Sequence, residues 1–98
     1  MEADLNRIAE MEALLEKSAQ LLDSLDGQLD ALDRGRGELY RLFRYCGSEA
    51  WYADREAELP PGLSAGVLGE DAVYDRIAQA RDAAIRMLEL SADMLKNL

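Results

Sequence analysis

From Ile8 to Cys46 the apolar residues of this chain recur at alternating spacings of three and four. The series is Ile8, Met11, Leu15, Ser18, Leu22, Leu25, Leu29, Leu32, Arg36, Leu39, Phe43 and Cys46, broken only at Ser18 and Arg36. A mean period of 3.5 residues is a helical seam of the left-handed coiled-coil kind and has no counterpart in a strand. Leu14, Leu21 and Leu42 widen it into a stripe that suits a bundle core better than a strict two-stranded zipper. A second series, Val73, Ile77, Ala80, Ala84, Met87, Ser91, Met94 and Leu98, repeats the pattern near the end, with Leu88 and Leu95 beside it. Small residues on that seam allow a partner helix to approach closely. The expected fold is all-α, an antiparallel helical hairpin or three-helix bundle. Leu15, Leu22, Leu25, Leu29, Ile77, Ala84 and Leu88 are its expected core.

Organisation follows from the breaks. The chain of 98 residues reads as one helical domain: a helical arm over 3–46, a connector over 47–69 and a helix over 70–97. Gly35 and Gly37 flank Arg36, and each glycine costs roughly 1 kcal/mol inside a helix. A kink or break is therefore expected at 34–37. Gly47 is positioned as a left-handed cap. Ser48 is positioned as the N-cap of a short helix running from Glu49 to Glu58. Pro60-Pro61-Gly62 forbids regular helix and sets a turn. Glu70 and Asp71 suit the first turn of the last helix, where the dipole favours acids.

All six aromatic residues, Tyr40, Phe43, Tyr45, Trp51, Tyr52 and Tyr74, fall in or beside this connector. Aromatic density around a rigid turn predicts that Trp51 is buried, making 47–69 an ordered plug at the end of the helices.

The connector also carries a resemblance. Tyr45-Cys46-Gly47-Ser48, Trp51, Asp54, Leu59-Pro60 and Leu63, then Gly66-Val67-Leu68-Gly69-Glu70-Asp71-Ala72-Val73-Tyr74-Asp75, resemble a bacterial family of small proteins, domain of unknown function 4298. The likeness is dense over 45–75 and looser in the flanking helices. Cys46 stands where that pattern usually has a second Tyr, and Gly69 where it usually has Ser. The resemblance implies the fold and a bacterial or phage origin. It implies no reaction.

Composition narrows the chemistry. There is no histidine, so the commonest general base and metal ligand is missing, and a ferritin-type di-iron site lacks its ligand pattern. Cys46 is the single cysteine; it has no histidine to activate it and sits at a helix C-terminus, where the dipole raises a thiol pKa. Glu49, Asp54, Glu56 and Glu58 do not follow the order of a calcium loop. No glycine-rich phosphate loop with lysine is present. The expectation is a protein that is not an enzyme and holds no cofactor and no metal. Its acidic, polar start is not a secretory or transit segment, and no apolar run reaches membrane length, so a cytoplasmic location is expected.

Charge is the sharper signal. The formal net charge is −9. Residues 1–33 carry −7, 34–46 carry +3, 47–75 carry −6 and 76–98 carry +1. Arg34, Arg36, Arg41 and Arg44 lie among Tyr40, Phe43 and Tyr45, but so short a basic patch in an acidic chain is better read as pairing with nearby acids than as a nucleic-acid platform. In the first arm Glu12, Glu16, Asp23, Asp26, Asp30 and Asp33 fall on one side of the helix, in a stripe roughly 30 Å long at 1.5 Å per residue. Neither Arg7 nor Lys17 shares that side. Like charges three and four apart repel by ~0.2–0.5 kcal/mol per pair, and a repulsion without relief inside the helix suggests an outside cation. These six acids are the expected partner-binding residues. The expected partner is a basic protein surface such as that of a nucleic-acid-binding protein, not nucleic acid itself and not a membrane; a homodimer is compatible with the seams. The sharpest form of this expectation is a nucleic-acid mimic of the anti-restriction or anti-CRISPR type. The alternative is a generic helical adaptor or self-associating protein whose acidity serves solubility alone.

Overall fold

A computed structural model describes residues 2–98. The described residues form three α-helices and one short 3₁₀ turn, with no strand. Helix α1 spans Leu5–Tyr45, α2 spans Glu49–Glu56 and α3 spans Glu70–Lys96; the 3₁₀ turn spans Gly66–Leu68. The chain is all-α, as its periodicity dictates. It divides into two compact units at Gly37 and Glu38.

The first unit is a stretch of α1. Asp4 opens the helix, its carboxylate accepting the Arg7 N–H at 3.1 Å. No break occurs at 34–37, because α1 is uninterrupted through Gly35 and Gly37. Once nucleated, each residue of a long helix adds one hydrogen bond. That gain, repeated over 41 residues, outweighs the local cost of the glycines. The expected core residues in this unit are not covered: Leu15, Leu22, Leu25 and Leu29 are exposed, Leu22 at 48%. The physical reason is that a single helix has no second surface against which to bury its own seam.

The second unit holds the end of α1, the connector and α3. Its core is small, with Trp51 at 2% exposure and Val73 at 3%. Ile77 is half-buried, whereas Ala84 and Leu88, expected as core, are exposed. They lie further along α3 than Val73, away from the 3₁₀ turn that precedes the helix.

The connector is ordered by successive caps and turns. Gly47 has φ +80° and Gly62 has φ +85°, the left-handed region that glycine enters without steric penalty. Pro61 and Gly62 occupy the second and third positions of a turn closed by the Leu63 N–H on the Pro60 carbonyl at 3.3 Å. Proline followed by a positive-φ glycine is the pattern of a type II turn. Helix α2 stops at Glu56, two residues short of the expected Glu58, and Ala57 is extended. Helix α3 starts at Glu70 as expected; Gly69 precedes it with no side-chain cap.

Candidate functional site

Two surfaces hold the residues that the sequence singles out: the connector in the second unit and the acidic stripe in the first.

The connector is built around Ser48 and Trp51. The Ser48 hydroxyl donates to the Tyr45 carbonyl at 2.6 Å and accepts from the Trp51 N–H at 3.2 Å. One small side chain thus ends α1 and caps α2. That cap places Trp51 on the inner side of α2, where its indole N–H reaches the Val67 carbonyl at 3.0 Å. This bond satisfies the only polar atom of the indole, so the ring can be buried without leaving an unpaired donor. Arg55, one turn later, lies 4.8 Å above the Trp51 ring and donates to Glu70 at 3.2 Å. Tyr52 meets the ring edge-on at 5.0 Å between centroids. Trp51 is a buried core residue.

Beside it lies an open recess of about 200 Å³, bordered by Tyr45, Asp54, Leu59, Leu63, Val67 and Leu68 among others. Its polar feature is the Tyr45 hydroxyl, which donates to Asp54 at 2.6 Å. This hydrogen bond, then partial burial, then the Asp54 charge hold the phenol above its ordinary pKa of 10.0. A phenol raised in this way is a poorer base and nucleophile at neutral pH than a free one. Folding favours the protonated form. The contact therefore contributes fully below the ordinary phenol pKa and is lost as pH climbs through the raised value. Alkaline titration at the phenolate absorbance, taken as the difference between wild type and Tyr45→Phe, should place this phenol above 10, and Asp54→Asn should bring it down. A midpoint unmoved by Asp54→Asn would show that the hydrogen bond does not form in solution. No three His, Cys, Asp or Glu side chains come together in a metal-binding group among the described residues.

On α1, Glu12, Glu16, Asp23, Asp26, Asp30 and Asp33 are all exposed. Asp33 is paired: Arg36 bonds it at 3.0 Å, one turn along the same helix. This corrects the expectation that the helix leaves its stripe without relief. The missed cation sits in the apolar seam rather than on the acidic face, and an i,i+3 neighbour reaches across. The other ion pair among the described residues is Arg55 with Glu70. Glu12, Glu16, Asp23, Asp26 and Asp30 take part in neither.

No helix among the described residues is long and apolar enough to cross a membrane. Residues 8–90 match the family model described as a domain of unknown function, DUF4298, and the chain belongs to that family. No curated protein and no solved structure matches the chain.

Proposed function

We propose that this DUF4298 protein is a non-enzymatic, cytoplasmic interaction protein that presents the acidic face of α1 to a basic surface on another protein. The observation that carries the reading is a row of carboxylates, Glu12 to Asp30, exposed and outside the ion pairs of the structure. Neighbouring acids on a helix lie ~5–6 Å apart, close to the spacing of phosphates along a nucleic-acid strand. In its sharpest form the reading is a nucleic-acid mimic that occupies a DNA- or RNA-binding surface, as anti-restriction and anti-CRISPR proteins do.

Asp23→Lys with Asp30→Lys tests it. The double change turns three repulsive neighbour pairs into attractive ones and one attractive pair, Asp30 with Arg34, into a repulsive one, at ~0.2–0.5 kcal/mol each, so on balance helicity holds or rises. Capture of a basic partner from cell extract should be lost with this variant, and should weaken as salt rises, since exposed charges are screened over ~8 Å at physiological ionic strength. Added duplex DNA or RNA should compete for the captured partner. The loss should lie mainly in the association rate. Retained capture alongside a lowered melting point removes the reading, because the acids are then structural.

The second reading, a helical adaptor or self-associating protein with acidity for solubility, draws on a different observation: the exposed leucines of the α1 seam. Closure into an antiparallel hairpin or three-helix bundle is the intramolecular way of covering them.

A further inference from the structure

The α1 seam is exposed from Ile8 through Leu32, and Leu39, Phe43 and Cys46 at its end are half-buried. We propose that it is covered by the α1 of a second copy, antiparallel, in a register where paired residue numbers sum to 54.

Three observations select this partner and register. The first is the position of the two breaks. With a sum of 54, Ser18 of one copy lies opposite Arg36 of the other, and every remaining layer is apolar on both sides. The layers are Ile8 with Cys46, Met11 with Phe43, Leu15 with Leu39, Leu22 with Leu32 and Leu25 with Leu29. Sliding one heptad either way buries Arg36 against Met11 or Leu25 and Ser18 against Leu29 or Phe43. A guanidinium in an apolar layer is expensive unless paired. Opposite the small Ser18 and beside Ala19 it has room to extend to solvent.

The second observation is charge. Residues 8–20 carry −2 and residues 34–46 carry +3. The antiparallel register lays one segment along the other. A parallel pair would set each against its own copy and stack Arg36 on Arg36. Like charges in register are the usual device for rejecting an orientation.

The third is Gly35. In an antiparallel pair the residues on the widened flank of the seam also meet across the axis: Leu14 faces Leu42, Gln28 faces Gln28 and Leu21 faces Gly35. A Cβ at Gly35 would meet nothing within 4 Å in the single chain, so nothing inside that chain explains a glycine there. A bulky Leu21 arriving from a second copy does. The like-charge meeting on the opposite flank is Asp26 with Asp26, at the exposed edge.

The pairing uses the apolar side of α1; it sets Glu12, Asp26 and Asp33 of the acidic stripe along the edge of the pair and leaves Glu16, Asp23 and Asp30 one row further out. Sedimentation equilibrium of the full chain should give twice the chain mass. Ser18→Asp places an acid opposite Arg36 of the second copy at both ends of the pair, and two such pairs at ~0.5–1 kcal/mol each tighten the dimer about tenfold. Arg36→Asp should loosen it, and the exchange Ser18→Arg with Arg36→Ser should restore it. Orientation is read with Ile8→Cys: on oxidation of a mixture of isotope-labelled and unlabelled chains, residue 8 should link to Cys46 between a labelled and an unlabelled chain. A monomer at all concentrations, Cys46–Cys46 linkage, or weakened association on Ser18→Asp with helicity retained would each overturn the proposal. The first of these outcomes leaves the seam to the chain's own α3 or to an unrelated partner.

Discussion

Trp51→Ala is expected to lower the stability of the second unit by about 3–5 kcal/mol, the usual cost of deleting a buried large aromatic. That is a large part of the 5–15 kcal/mol that holds a typical small domain together. Trp51 and Val73 are the buried residues among those described, so the loss is not shared among other core side chains. The substitution also frees the Val67 carbonyl, which accepts the indole N–H at 3.0 Å, and removes the ring beneath Arg55. Trp51→Phe separates the contributions. It keeps most of the apolar area and removes the N–H, so the loss should fall to about 1–2 kcal/mol from the hydrogen bond, together with a small cavity. Urea melts followed by near-ultraviolet circular dichroism report on the connector directly, whereas far-ultraviolet signals are dominated by α1 and α3. Acrylamide should quench native Trp51 poorly. Free quenching in the native state, or an alanine variant that melts like wild type, would show that the indole is not packed.

Much of the connector was legible from residue types because its order is made by local rules. Gly47 as a left-handed residue, Ser48 as a cap, the Pro60-Pro61-Gly62 turn and the start of α3 at Glu70 each rest on one or two side chains acting within a few positions. The 3₁₀ turn at Gly66–Leu68 was not legible, because the Trp51 indole that bonds Val67 comes from 16 residues away. The uninterrupted α1 was misread at Gly35 and Gly37 for a related reason. Glycine penalties are local, whereas helix propagation belongs to the whole segment. The acidic stripe was found by its face, and assigning charges by face alone missed Arg36, which stands in the neighbouring row and bonds Asp33. The seam leucines expose a different limit. A 3.5-residue period states that one side of a helix is apolar; it does not name what covers that side.

Gly47→Ala should cost about 1–2 kcal/mol, the penalty for placing an L-residue in the left-handed region. Space is not the obstacle: an added Cβ would meet the Tyr74 hydroxyl at 3.7 Å, an ordinary contact. The backbone is, since φ is +80° and the Ser48 N–H closes the turn on Tyr45 at 3.0 Å. A series therefore distinguishes strain from packing. Asn visits positive φ more readily than other side chains and should cost least. Ala should come next, and the β-branched Val should cost most. If packing against Tyr74 governed instead, cost would follow side-chain volume, and Asn would cost clearly more than Ala. The position also couples two elements, because Gly47 lies between the Tyr45 carbonyl and the Ser48 hydroxyl that caps α2. Strain there should loosen the cap and, through it, Trp51. Urea melts of Gly47→Ala and Ser48→Ala, singly and combined, read that coupling. A combined loss smaller than the sum by about 0.5 kcal/mol or more, as for residues that share partners, is expected if turn and cap act as one unit; strict additivity would show that α1 ends and α2 begins independently.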